Sequence, residues 1–196
     1  MKNNDYLLPG IAAIFVAVLF PLSWIIELTS SLTSISEYQF SFRFGASSFL
    51  FLIVGLATIY IYYYFMKLLH DHHNYRRADF AFIAMIMLNA IFYFGAFILD
   101  ITSIWINPLI SLAASSWIFG ASIIIFGIID VLIAVTLLIA HKDLPGKFTV
   151  FATINLIMGV FELTFVLSPV VLVLFPVVAI LIAFIFLKKP ETIEIV

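Results

Sequence analysis

The chain has no cysteine among its 196 residues, and only 10% of those residues are charged. The first absence excludes disulfides, thiolate catalysis, iron–sulfur ligation and thiol redox chemistry in any compartment. The second excludes a soluble domain. With 65% hydrophobic residues and a mean hydropathy of +1.24, the chain has too little polar surface to face water, so lipid must be the solvent for most of it. There is no phosphate-cradling glycine loop and no basic stripe suited to nucleic acid, so neither is an expected partner. The first apolar stretch, 7–28, is longer than a signal-peptide core and no small-x-small site follows it, so it is expected to stay as a span.

What the chain does have is long apolar stretches separated by short polar segments, with positive charge confined to alternate segments. Eight of the nine Lys and Arg residues fall at Lys2, at Lys67, Arg76 and Arg77, at Lys142 and Lys147, and at Lys188 and Lys189; the ninth, Arg43, stands alone in an opposite-side loop. This is the positive-inside pattern. It predicts an all-α, polytopic integral membrane protein: one six-helix transmembrane bundle with both termini cytoplasmic, placed by expectation in the cytoplasmic membrane. The spans are expected at about 7–28, 44–69, 79–99, 117–140, 148–167 and 170–187, each matching about 30 Å of hydrocarbon at 1.5 Å per residue. Trp24, Trp105 and Trp117 then map to the outer interface, and Tyr60, Tyr62, Tyr63, Tyr64 and Tyr75 to the inner one.

Two outer loops have character. Residues 29–43 are rich in Ser and Thr and end with Tyr38, Phe40, Phe42 and Phe44 alternating with polar residues, the period of an extended segment. It reads as a loop on the membrane surface or a lid over an outward mouth. Asn107-Pro108 has the form of an N-cap followed by proline at the first helical position, predicting a short interfacial helix over 108–115. Ser168-Pro169 and Leu144-Pro145-Gly146 read as tight turns. Phe-Gly-Ala-Ser occurs at both 44–47 and 119–122, which invites a duplication; in so narrow a composition one such match is expected by chance.

Polar side chains inside the bilayer are costly, which makes them the first functional candidates. Asp130 falls about 15 Å from the inner end of span four, and Glu162 about 21 Å along span five. Asn89 lies mid-way along span three and Asn155 in the inner part of span five. No Lys, Arg or His shares their depth, so the two acids have no basic partner. An ionised carboxylate there is unfavourable unless it is protonated, wetted by a cavity or bound to a cation. Helical spacing groups Asn155, Gly159 and Glu162 on one face; Asn89, Tyr93, Ala96 and Asp100 on another; Gly127, Asp130 and Ala134 on a third; and Ala13, Ala17, Trp24 and Glu27 on a fourth. Small residues mixed with one acid mark faces turned to the bundle interior. The expected path has Asp130 deepest, Glu162 above it, Asn89, Tyr93 and Asn155 contacting solute, and Glu27 and Asp100 at an outer rim beside Arg43. The competing reading of each acid is a protonated side chain that bonds across a helix interface and does nothing more.

All four histidines, His70, His72, His73 and His141, fall on the inner side, with Asp79 and Asp143 nearby. Crowded imidazoles could hold zinc, nickel or copper, but a solvated loop touching acidic lipid headgroups is the preferred reading. The histidine boxes of membrane di-iron enzymes need about twice as many histidines. With none in any span, bis-histidine haem ligation and a bilayer serine protease are both excluded. Phe-Gly-Ile-Ile-Asp at 126–130 lacks the Gly-x-Gly-Asp of paired-aspartate proteases. No metal, no cofactor and no enzymatic activity are therefore expected. The expected function is a small transporter or channel for protons, a cation or a small solute, in contact with membrane lipids. Its rival is a non-catalytic subunit or assembly factor packing against other membrane subunits or its own copies.

Overall fold

The computed structural model describes residues 5–35, 44–105, 108–164 and 166–188. They form α1 (Leu7–Ile35), α2 (Ala46–His73), α3 (Asp79–Thr102), α4 (Pro108–Ile139), α5 (Gly146–Leu163) and α6 (Val171–Leu187), with a 3₁₀ turn at Ser168–Val170 before α6. There is no strand among the described residues. Each of the six helices is long and apolar enough to cross a membrane. The chain is a polytopic helical membrane protein, as the hydropathy pattern predicts.

Each helix packs on its sequence neighbours, and α6 closes onto α1. Six helices in a closed ring leave space along the axis, and the sequence fills only one end of it. Near the end that carries the termini, Phe65 of α2 is fully buried. Its ring meets Phe82 of α3 at 5.4 Å, Phe148 and Phe151 of α5 at 5.8 and 4.9 Å, and Phe186 of α6 at 6.1 Å between centroids. These tilted and edge-on pairings suit aromatic rings. Rings from four helices thus form a phenylalanine plug.

Polar ties reinforce that end. Tyr6 donates to Asp71 at 3.2 Å and stacks on Phe186. Burial, and then the nearby Asp71 charge, push the Tyr6 hydroxyl above the usual tyrosine range. His70 meets Asp79 at 2.6 Å, Tyr75 donates to the Thr136 carbonyl at 2.7 Å, and Lys147 donates to the Ile185 carbonyl at 3.2 Å.

Helix ends differ from the hydropathy boundaries, and local chemistry explains why. Helix α1 runs on to Ile35, through what reads as loop: Thr29 bonds back to the Ile25 and Ile26 carbonyls, both at 2.9 Å, which keeps a polar residue inside the helix. The alternating segment from Tyr38 to Phe42 lies outside the described residues, as does Arg43. The separate interfacial helix over 108–115 does not exist, because α4 runs unbroken from Pro108. Ala113-Ala114-Ser115-Ser116 contains no helix breaker, so a start at Pro108 leads straight into the span. Helix α2 takes in His70 to His73 and stops at Asn74, whose φ of 48° lets its N–H return to the Leu69 and His70 carbonyls. Helix α5 ends at Leu163, where Thr164 turns its hydroxyl onto the Phe161 carbonyl at 2.8 Å.

The two Phe-Gly-Ala-Ser segments hold different stations. The first straddles the N-terminus of α2 at Gly45, and the second lies well inside α4. The match carries no structural correspondence.

Candidate functional site

The site is built on the α4–α5 seam. A Cβ on Gly127 would lie 2.9 Å from the Gly159 carbonyl oxygen, and a Cβ on Gly159 would lie 2.9 Å from that of Gly127. The two backbones therefore touch, which only glycine at both positions permits. Asp130 and Glu162 each follow their glycine by three residues and so share its face. Both acids are buried, at 2% and 7% exposure, and their carboxyl groups are near enough to interact directly. Two carboxylates buried so close together repel, which favours at least one proton on the pair. Asn155, one turn before Gly159 on α5 and fully buried, donates its Nδ2 to the Asp130 Oδ1 at 3.1 Å and to the Asp130 backbone carbonyl at 3.0 Å. Glu162 Oε2 is left buried with no partner among the described residues.

A cavity of about 380 Å³ opens beside this pair. That is near the lower end of the roughly 300–1,000 Å³ usual for small-molecule pockets. All six helices contribute to its wall. By their places along the helices, Tyr62 and Met85 lie toward its deep end, and Ser168 and Pro169 of the α5–α6 turn at its shallow end; Pro169 is exposed. The wall is mostly aromatic: Phe20 and Trp24 of α1, Tyr62 of α2, Phe92 and Tyr93 of α3. Phe119 and Phe126 of α4 and Phe175 of α6 complete it. Asn89 and Ser122 add buried polar groups, at 3% and 7% exposure. None of the described lining residues is Lys, Arg or His.

Helix composition positions several of these groups. Tyr93 lies directly over Gly55 of α2, where a Cβ would come 2.3 Å from the ring. Any side chain at Gly55 would push Tyr93 off its seat. Phe20 and Phe175, 4.6 Å apart between ring centroids, each precede a proline within a helix, Pro21 of α1 and Pro176 of α6. Because Pro176 has no N–H, the carbonyl of Leu172, itself in the cavity wall, lacks its ordinary helical donor.

The residues expected from sequence divide into three groups. Asp130, Glu162, Asn89 and Tyr93 come together in the cavity wall. Asn155 does not line the cavity; it stands behind Asp130 and holds it. Glu162 lies outward of Asp130, as expected, with its Cβ against Gly127 one turn up α4, and the two carboxyl groups are near enough to interact. The rim acids form a separate cluster: Asp100 hydrogen-bonds Ser48 of α2 and faces Glu27 of α1, and neither acid lines the cavity. The expected contact of Arg43 with a rim acid lies outside the described residues.

The histidines take separate partners: His70 has Asp79, His72 packs near Tyr6 at 5.4 Å, His73 meets the Phe148 ring at 5.1 Å, and His141 Nδ1 lies 3.0 Å from the Leu138 carbonyl. His70, His72 and His73 are the last turn of a helix rather than a loop. No group of three His, Asp or Glu side chains among the described residues could hold a metal ion.

Sequence reasoning missed Tyr62 as a site residue. Its place in the run Tyr60, Tyr62, Tyr63, Tyr64 suggests an interfacial belt, yet it is 2% exposed and faces the acid pair. Trp24 shares a helix face with Ala13 and Ala17, and that signal is right: it turns inward, edge-on to Phe51 at 5.3 Å and to Phe119 at 5.5 Å, its indole N–H buried without a partner among the described residues. Trp105 and Trp117 are exposed, as belt residues are.

No protein-family model matches the chain, and neither a characterised protein nor a solved structure matches it significantly. The site must be read from its own chemistry.

Proposed function

We propose that this protein is a small membrane carrier that moves a small solute in exchange for protons held on the Asp130–Glu162 pair. The observation that carries this reading is a proton-bearing pair of buried carboxyls facing a cavity within the membrane-spanning ring. A pair serving only to pack helices would have its acceptors satisfied by neighbouring side chains; here Glu162 Oε2 has no partner among the described residues, and both acids line a cavity. The asymmetry of the bundle supports the same reading. One end is sealed by the Phe65 plug and the other end carries the cavity, the form of a carrier open to one side at a time. Pro21 and Pro176 supply weakened points in the two helices flanking the cavity at Phe20 and Phe175, where a rocking motion can be absorbed. With the positive-inside orientation, both termini face the cytoplasm and the cavity faces out of the cell.

The test is reconstitution into vesicles loaded with a pH-sensitive dye and challenged with a panel of small solutes. Wild-type protein is expected to change the internal pH when a transported solute is added, and Glu162→Gln to remove that response while the variant stays folded. Solute-driven proton movement that persists unchanged in Glu162→Gln would refute the assignment. Stoichiometric copurification with other membrane subunits, together with no solute response, would favour a subunit role.

A further inference from the structure

We infer that the carrier's substrate is a small hydrophobic organic monocation, such as an amine bearing one ring, bound with its charge at Glu162 and its apolar body among the aromatic rings. This rests on the proposed carrier reading and names what that carrier takes.

Three independent features converge on the class. The first is charge. The titratable groups facing the cavity are Asp130 of α4, Glu162 of α5, Tyr62 of α2 and Tyr93 of α3. The lining residues of α1 and α6 supply no titratable group, and no described lining residue is basic. An anion would find no counter-charge there. Glu162 also lies in the last turn of α5, where backbone carbonyls give the helix end a partial negative charge. The second is the wall. Eight lining side chains are aromatic. Aromatic faces attract alkylammonium groups by their ring quadrupole, most strongly where water is excluded. A hydrated metal ion is poorly served by such a wall, because hard cations require several oxygen ligands. The third is Glu162 itself, a residue of the cavity wall whose buried Oε2 has no donor among the described residues. The volume of about 380 Å³ sets the size: one ring and a short chain fit, whereas a large polycyclic or polyvalent ligand does not.

The exchange balances in charge. With a proton on each acid the pair is neutral. One monocation enters, one proton leaves to solvent, and the occupied site is neutral again. Binding therefore releases one proton per cation, and the low polarity of a wall of rings disfavours ionisation of the pair without its ligand.

The experiment uses the purified full chain in detergent and two probes of the same shape: benzyltrimethylammonium and its uncharged carbon isostere, neopentylbenzene. Calorimetry in buffers of different ionisation enthalpy reads both affinity and protons released. A short series of other monoamines and onium ions covers the choice of probe. The expected result is binding of cations at least about tenfold tighter than the isostere, with proton release, and loss of that preference in Glu162→Gln. Equal or tighter binding of neopentylbenzene by the wild type would overturn the cationic class while leaving a carrier of neutral solutes intact. Cation binding that is undiminished in Glu162→Gln would also overturn it, as would no binding by any cation of the series. The vesicle measurement judges the carrier reading separately, since it responds to any solute that moves protons.

Discussion

Gly159→Leu is expected to prevent assembly of the bundle. A Cβ at this position meets the Gly127 carbonyl oxygen at 2.9 Å and the Val131 backbone nitrogen at 3.0 Å. Both obstacles are main chain, which cannot rotate away as a side chain does. The α4 and α5 backbones must separate along their closest contact. Overpacking of a core where side chains can yield costs about 1–3 kcal/mol, and a backbone obstacle should exceed that range. The separation would also part Asp130 from Glu162 and pull Asn155 away from Asp130, leaving buried polar groups without partners. Gly95→Leu is the control, because a Cβ there meets nothing within 4 Å and glycine within a helix is itself unfavourable by about 1 kcal/mol. Thermal denaturation in detergent should show Gly95→Leu near wild type or slightly above it, with Gly159→Leu aggregated or unfolded. Equal stability of the two would show that the α4–α5 contact is not as close as described.

Asp130→Asn is expected to leave the protein folded and to abolish solute-driven proton movement. An amide nearly matches a protonated carboxyl in shape, and it can still accept the Asn155 hydrogen bond, so the cost to stability should stay within about 1 kcal/mol. What it cannot do is release a proton or take one from Glu162, and the proposed exchange needs the pair rather than either acid alone. Asp130→Leu separates the two roles of the residue. It removes the acceptor for one Asn155 bond but spares the bond to the backbone carbonyl, so it should be destabilising by about 1–3 kcal/mol yet still assemble. Vesicle assays paired with thermal denaturation read both effects. Unchanged flux in the Asn variant, alongside a Leu variant that fails to assemble, would make Asp130 a packing residue.

The parts of this account that depend on composition and on helical period were legible in the sequence. Lys and Arg placement with apolar run lengths locates six helices, and the i, i+3, i+4 spacing turns Asp130, Glu162, Asn89 and Tyr93 inward. What sequence alone withholds is the register between helices. How far Glu162 sits from Asp130 depends on how far α5 slides past α4, and the Gly127–Gly159 contact sets that; neither glycine advertises its partner. The same limit hides the cavity. Of the 22 phenylalanines, some fill the plug around Phe65 and others, such as Phe119 and Phe126, line empty space, and the residue type is identical in both places. Helix ends were misplaced wherever polar residues satisfied themselves within a helix, as Thr29 does, because a hydropathy scale counts the polarity and not the bond.

The space beside Asp130 and Glu162 should be reached by water from one side and should favour cations. The most direct measurement is substituted-cysteine reactivity in membranes, which is clean because the chain has no native cysteine. Ser122 lines the cavity at 7% exposure, and Ser23 is fully buried away from it, its hydroxyl on the Phe20 carbonyl at 2.7 Å. Ser122→Cys should react with a membrane-impermeant cationic methanethiosulfonate applied from outside, faster than with the anionic reagent of similar size, and Ser23→Cys should react with neither. A Ser122→Cys variant as inert as Ser23→Cys would contradict the account and make the acid pair part of a sealed core.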